Sequence, residues 1–318
     1  GNRIGVALDP SLPLETLSQK GYGDILAEAD GALEGLTEIG RTTREYALLA
    51  CGECADLHEA YEAYCRPLER VFPTKTSTQP SAPAMPLYTR RAPARARAKV
   101  AAPRVVIPVF PGTNCEYDSA RAFSRAGAKV QTVVVRNLSA RDIEDSIKRL
   151  AKSVRRAQIL MLPGGFSGGD EPDGSGKFIA AVFRNPYIRD EVMALLNGRD
   201  GLILGICNGF QALVKLGLVP YGDIRDMREE SPTLTYNTIG RHMSVAVRTR
   251  VVSVKSPWLA ACEPGEVHAV AVSHGEGRFV AREEEIRALF ENGQVATQYV
   301  DFTGNPSMDI AHNPNGSM

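Results

Sequence analysis

The residues with the clearest chemical potential are Gly205-Ile206-Cys207-Asn208-Gly209, a thiol between two glycines where the apolar run GLILGI gives way to NGFQALVKL. A strand-to-helix turn of this composition is the nucleophile-elbow layout, with cysteine in place of serine. Gly205 and Gly209 lack a Cβ, so strand and helix can approach closely around a strained turn. Cys207 would then stand at a helix N-terminus, where the dipole favours the thiolate. The backbone N–H of Asn208 can point at a developing oxyanion. A structural cysteine between packing glycines is the plainer reading, but the strand before it and the helix after it favour a nucleophile.

A second run, Pro163-Gly164-Gly165-Phe166-Ser167-Gly168-Gly169-Asp170, ends another apolar segment, AQILMLP. Adjacent glycines let backbone N–H groups turn into a cleft and supply a second oxyanion donor. A phosphate-cradling loop would end in Gly-Lys-Ser/Thr, which is absent here. Two glycine-rich turns at neighbouring strand ends, one bearing a cysteine, fit one shared site better than a flexible loop.

The elements around these turns alternate. RVVIPVF (104–110), KVQTVVV (129–135), AQILMLP (157–163) and GLILGI (201–206) are buried-strand runs. Helices are expected from about Glu116 to Ala126 and, capped by Ser139, to about Val154. This β-α-β-α order with β-branched strands predicts an α/β fold: a flavodoxin-like, doubly wound parallel sheet with its sites at the carboxyl ends of the strands. From about Thr238, alternating Val-rich runs (HMSVAVRTRVVSV, EVHAVAVSH) predict added antiparallel strands. Before the sheet, residues 73–103 are rich in Pro, Ala, Ser and Thr and hold Lys75, Arg90, Arg91, Arg95, Arg97 and Lys99 without an acidic residue. They read as a solvated linker in preference to a basic arm for RNA or an acidic partner. Residues 1–72 read as the partial α+β end of another domain. IGVAL is a strand, LPLETLSQKGYGDILAEA a helix, glycine turn and strand, and a helix runs from about Leu57 to Leu68.

The chain has 318 residues, with Lys+Arg and Asp+Glu both at 37. Zero formal charge argues against a broad nucleic-acid footprint. No stretch reaches the roughly 20 apolar residues of a membrane span, and no secretory signal is visible. Six scattered cysteines form no disulfide framework, which fits a cytoplasmic protein. Gly1 lies in an apolar pattern and reads as a start inside a longer chain.

PGTNCEYD (111–118), PGGFSGGDEPDGSGKF (163–178), GICNGFQAL (205–213), SHGEGRF (273–279) and NPNGS (313–317) together resemble the class I glutamine amidotransferase domain of phosphoribosylformylglycinamidine synthase, in family order from about Arg104 to Ser317. GRTT (40–43) and the segment before it resemble, more weakly, the end of the AIR-synthase-like synthetase part of the large single-chain form. The resemblance implies a synthetase tail at 1–72, a linker at 73–103 and a glutaminase domain at 104–318 that lacks its last segment. It implies Cys207 as the nucleophile that forms a glutamyl thioester. The Gly165 and Asn208 amides would form the oxyanion hole, and Phe166, Ser167 and Gln211 would hold glutamine. The released ammonia would serve ATP-dependent conversion of formylglycinamide ribonucleotide to the amidine, in a glutamine-dependent carbon–nitrogen ligase. No cofactor is expected on this chain, since ATP and Mg²⁺ belong to the synthetase part. The expected partners are glutamine and the rest of that synthetase chain, with no nucleic acid and no membrane.

The resemblance also implies a catalytic His-x-Glu pair a few tens of residues past NPNGS, beyond Met318. The chain as given is therefore expected to hydrolyse glutamine weakly or not at all. His274-Gly275-Glu276 has the same spacing but lies in SHGEGRF, which the family carries in addition, and reads as loop structure near the site mouth. Cys115, without flanking glycines, is expected to pack beneath its loop. Cys51, Cys54, His58 and Cys65 suggest zinc only weakly. The alternative to an enzyme is a non-catalytic docking or regulatory glutaminase-like domain.

Overall fold

A computed structural model describes residues 3–13, 15, 19–76, 82, 85–91, 100–169 and 176–317. Four residues of the helix expected within LPLETLSQK (Leu14, Thr16, Leu17 and Ser18), the DEPDGS run, and Arg95, Arg97 and Lys99 lie outside the described residues. The chain divides into two units, Gly1–Thr74 and Lys75–Met318.

In the first unit, β1 (Gly5–Leu8) pairs antiparallel with β2 (Gly40–Thr43) and parallel with β3 (Ala47–Ala50). β3 turns back into β4 (Glu53–Asp56), giving the sheet order β2-β1-β3-β4. Asp56 caps α1 (Leu57–Cys65) by accepting from the His58 N–H at 2.7 Å. The helix then tightens into a 3₁₀ turn at Arg66–Leu68, where Pro67 removes a backbone donor. Among the described residues of this unit only Gly5 is buried, so the apolar stripe of α1 has no core to face. The strand expected within GDILAEA does not form. Ile25 and Leu26 are exposed, and no edge among the described residues pairs with them.

The second unit is built on a parallel sheet of β5 (Arg104–Val109), β6 (Lys129–Val134), β7 (Ile159–Leu162) and β8 (Leu202–Gly205), in the order β6-β5-β7-β8. The alternation of β5 divides the core. Val106 joins Leu160, Leu162, Leu150, Phe183 and Ile188 on one face, while Val105, Ile107 and Met161 pack on the other. The first face is covered by α3 (Ala140–Val154), α4 (Lys177–Phe183), α5 (Pro186–Met193) and α6 (Asn208–Leu216). The second is covered by α2 (Glu116–Arg125), with Phe123 against it. Trp258 extends that cover. Its indole N–H donates to Ile203 O at 3.2 Å, and its ring meets Phe123 edge-on. The expected Ser139 cap is present, accepting from the Asp142 N–H at 3.1 Å, a contact that stabilises a helix by about 1 kcal/mol. The architecture is the flavodoxin-like α/β sheet that the strand pattern predicts.

The Val-rich tail forms β10 (Met243–Val251), with β11 (Val267–His274) and β13 (Thr297–Val300) antiparallel on its two sides. β9 (Thr233–Thr235) and β12 (Arg278–Val280) make a separate antiparallel pair, and α7 (Glu283–Glu291) follows. Part of the proline-rich stretch lies against this layer. The Tyr88 N–H donates to Val252 O at 2.8 Å, and the Arg91 guanidinium donates to the carbonyls of Ala260 and Cys262. Among the described residues no helix is long and apolar enough to cross a membrane.

Candidate active site

The site lies at the carboxyl ends of β7 and β8. Gly209 and Gly205 are needed for contact. A Cβ on Gly209 would stand 2.0 Å from Leu162 O, and one on Gly205 would stand 2.7 Å from Gly209 O. Without those Cβ atoms α6 can sit against the two strands, with Cys207 at φ 53°, ψ −112°. That conformation lies outside the usual left-handed basin and costs on the order of 1–3 kcal/mol. The buried face of α6, which includes Ala212, Leu213, Val214 and Leu216, holds the turn in place. Cys207 is exposed at the helix N-terminus, the position where the dipole favours a thiolate.

The glycine-rich loop meets the elbow directly. A Cβ on Gly164 would come within 3.4 Å of Cys207 Cβ. The loop is clamped by the PGTN turn after β5. The Asn114 N–H donates to Gly164 O at 2.9 Å, the Phe166 N–H to Gly112 O at 2.8 Å, and the Gly168 N–H to Pro111 O at 2.9 Å. Gly165 adopts φ 126° and pairs with Thr113. The Phe166 amide is thus used in the clamp. Phe166 projects into solvent at 63% exposure. Ser167 is buried, and its Oγ hydrogen-bonds nothing among the described residues.

A chain of side-chain amides joins the three motifs. Asn208 Oδ1 accepts from the Ser167 N–H at 3.3 Å, and Asn208 Nδ2 donates to Gln211 Oε1 at 3.2 Å. Gln211 Nε2 then donates to Glu276 O at 3.1 Å. The six residues singled out from the sequence, Cys207, Gly165, Asn208, Phe166, Ser167 and Gln211, thus lie on the elbow, the adjoining glycine-rich loop and the first turn of α6, which these contacts hold together. The Gln211 amide is engaged once at each end, which leaves one Nε2 proton and one Oε1 lone pair for a ligand.

The SHGEG loop is held by residues to which sequence reasoning gave no role. Asn237 Nδ2 donates to His274 O at 2.8 Å, and Asn237 Oδ1 accepts from the Gly277 N–H. Asn315 Nδ2 contacts His274 Nε2 at 3.3 Å and the Tyr299 hydroxyl at 3.1 Å, and Ser317 Oγ accepts from the Phe279 N–H at 2.9 Å. NPNGS is therefore a buried polar knot that braces the loop touching Gln211. The His274 ring is not oriented by Glu276: Nε2 faces Asn315, and Nδ1 is buried without a partner among the described residues. Burial pushes its pKa below the ordinary value, and nearby His242 acts in the same direction.

Two sequence expectations about other cysteines resolve differently. Cys115 does not pack beneath its loop. It is exposed, because α2 starts from it at the surface and has no buried residue. Cys51, Cys54, His58 and Cys65 do not converge on one point among the described residues.

With this geometry in hand, comparison with known proteins is informative. The CobB/CobQ-like glutamine amidotransferase domain matches residues 102–318. The phosphoribosylformylglycinamidine synthase subunit PurQ of Methanococcus maripaludis is 34% identical over 225 residues, covering 68% of this chain and 74% of that protein. The PurQ subunit of Symbiobacterium thermophilum is 35% identical over 214 residues, covering 67% and 77%. The structure of PurLQS from Thermotoga maritima superposes with a TM-score of 0.46 at 25% identity, covering 67% of this chain and 84% of that one. These matches correct one expectation. The chain is not itself a ligase. What matches is a glutamine amidotransferase domain and the PurQ subunit of phosphoribosylformylglycinamidine synthase, not the whole synthase.

Proposed function

The chain belongs to the CobB/CobQ-like glutamine amidotransferase family, and we propose that its second unit hydrolyses glutamine to supply ammonia to a phosphoribosylformylglycinamidine synthetase in purine biosynthesis. The observation that carries this reading is Cys207, held exposed in a strained turn with Gly164 against its Cβ. Its thiolate attacks the carboxamide carbon of glutamine. The resulting oxyanion is held by the Gly165 and Asn208 amides, each worth on the order of 100–1000-fold in rate at such a site. Collapse breaks the carbon–nitrogen bond, and the nitrogen leaves as ammonia with the proton taken from the thiol. Water then cleaves the thioester to glutamate and restores the thiol.

Ser167 and Phe166 flank the position where glutamine would lie. The buried, unpartnered Ser167 Oγ supports a polar contact to the ligand there, since such a group otherwise costs about 1–3 kcal/mol. Gln211 acts by tying the elbow helix to the SHGEG loop. A docking domain without chemistry has no use for a cysteine in this conformation, so the geometry favours the enzymatic reading over the non-catalytic one. We take the general base to be a His-x-Glu pair other than His274 and Glu276, as the family resemblance implies. Turnover is accordingly the prediction for a chain carrying that pair, and thiol reactivity the prediction for these residues. In the chain carrying the pair and combined with its synthetase, Cys207→Ala should abolish glutamine-dependent amidine formation and leave ammonia-dependent formation intact. Loss of both, or of neither, would overturn the proposal.

A further inference from the structure

We propose a zinc site away from the cleft, formed by Cys262 Sγ, Glu266 carboxylate and His268 imidazole. One ligand atom from each lies within 4.8 Å of the other two. Tetrahedral zinc with bonds of about 2.0–2.3 Å sets its ligands about 3.3–3.8 Å apart, so small rotations of the side chains close the site. Thiolate, carboxylate and imidazole are the donor types zinc takes, and three protein ligands leave a fourth position for water.

The backbone presents these groups together. Glu263-Pro264-Gly265-Glu266 is a tight turn in which the Glu266 N–H donates to Glu263 O at 3.1 Å and Gly265 has φ 89°. Proline second and a positive-φ glycine third suit a type II turn. The Glu263 N–H donates to Glu266 Oε2 at 2.9 Å, which fixes the carboxylate and leaves Oε1 toward His268. Glu266 and His268 are two apart at the entry to β11 and share a face. Cys262 stands just before the turn. A second observation points to a ligand. His268 Nε2 is shielded from water yet makes no hydrogen bond among the described residues, although Glu266 Oε1 lies 3.4 Å away. An imidazole nitrogen in that position suits a metal bond. Arg91, whose guanidinium donates to Cys262 O, is balanced by Glu263 at 2.8 Å. Binding would release the thiol proton and staple the turn after Trp258 to β11, on the layer where the 85–91 segment lies.

The test uses the whole 318-residue chain, stripped with a chelator and titrated with Co²⁺ and then Zn²⁺. One equivalent of Co²⁺ should bind with a thiolate-to-cobalt absorption band, and Zn²⁺ should displace it. Cys262→Ser should abolish the band. His268→Gln and Glu266→Gln should each weaken binding at least tenfold, with circular dichroism verifying that the variants fold. Absence of stoichiometric binding would overturn the proposal. So would a band that survives in Cys262→Ser, or one that disappears on substituting Cys51, Cys54 or Cys65 instead.

Discussion

Cys115 and Cys207 both follow a strand of the parallel sheet, both cap the N-terminus of a helix, both are exposed and both have positive φ. Their ψ angles separate them. Cys115, at φ 66°, ψ 10°, lies near the left-handed basin that a turn residue can enter. Cys207, at ψ −112°, lies far from it. The helices differ in the same sense. α2 buries no residue, whereas α6 buries most of one face and is pressed by two glycines against Leu162 and its own turn. A strained nucleophile needs an over-determined surrounding, and only the α6 region supplies one. A helix N-terminus and an exposed thiol are therefore not sufficient to mark a nucleophile here.

The contrast is sharpest in reactivity. Cys207→Ala is expected to reduce glutaminase turnover about a thousandfold or more in the chain carrying its base, while Cys115→Ala stays within about twofold, read as glutamate release. Stability separates the regions next. Gly209→Ala drives a Cβ into Leu162 O and should cost about 3 kcal/mol or more in urea unfolding. Gly127→Ala, after α2, meets no atom within 4 Å and only fills a left-handed position, for about 1–2 kcal/mol. Equal costs for the two would break the comparison. An effect smaller than that of Gly209→Ala is expected from Asn208→Ala, which strands the Ser167 N–H and removes one partner of Gln211, at about 1–3 kcal/mol.

The smallest concerns pH. Because the folded state depresses the His274 pKa below 6.5, the unfolded chain binds the proton more readily. The stability linked to His274 is then complete above 6.5 and is lost as pH falls from there through the folded value. Unfolding midpoints should fall more steeply with acid for the unmodified chain than for His274→Gln. Parallel curves would remove His274 as the cause.

Legibility in the sequence followed the range of the interactions. β5 to β8 and the Ser139 cap could be read because β-branched runs and capping residues act within a few positions, and the elbow because two glycines flank one cysteine. The failed strand within GDILAEA had the composition of a strand but no edge to pair with, which local pattern does not reveal. The exposure of Cys115 depended on α2 lying at the surface. Asn237 and Asn315 left no local signal, since their hydrogen bonds reach loops about forty residues distant in sequence. The Cys262 cluster was equally silent, because its thiol reaches the carboxylate and imidazole across a turn.

The central claim is that Cys207 is the thiol the fold has made into a glutamine-directed nucleophile. The most direct test treats the 318-residue chain with a glutamine-analogue electrophile, with and without excess glutamine, and maps the adduct by peptide mass spectrometry. The account predicts one adduct on Cys207, suppressed by glutamine, with exposed Cys51, Cys54 and Cys115 unmodified. Labelling of Cys115, or equal labelling of all exposed thiols regardless of glutamine, would contradict it.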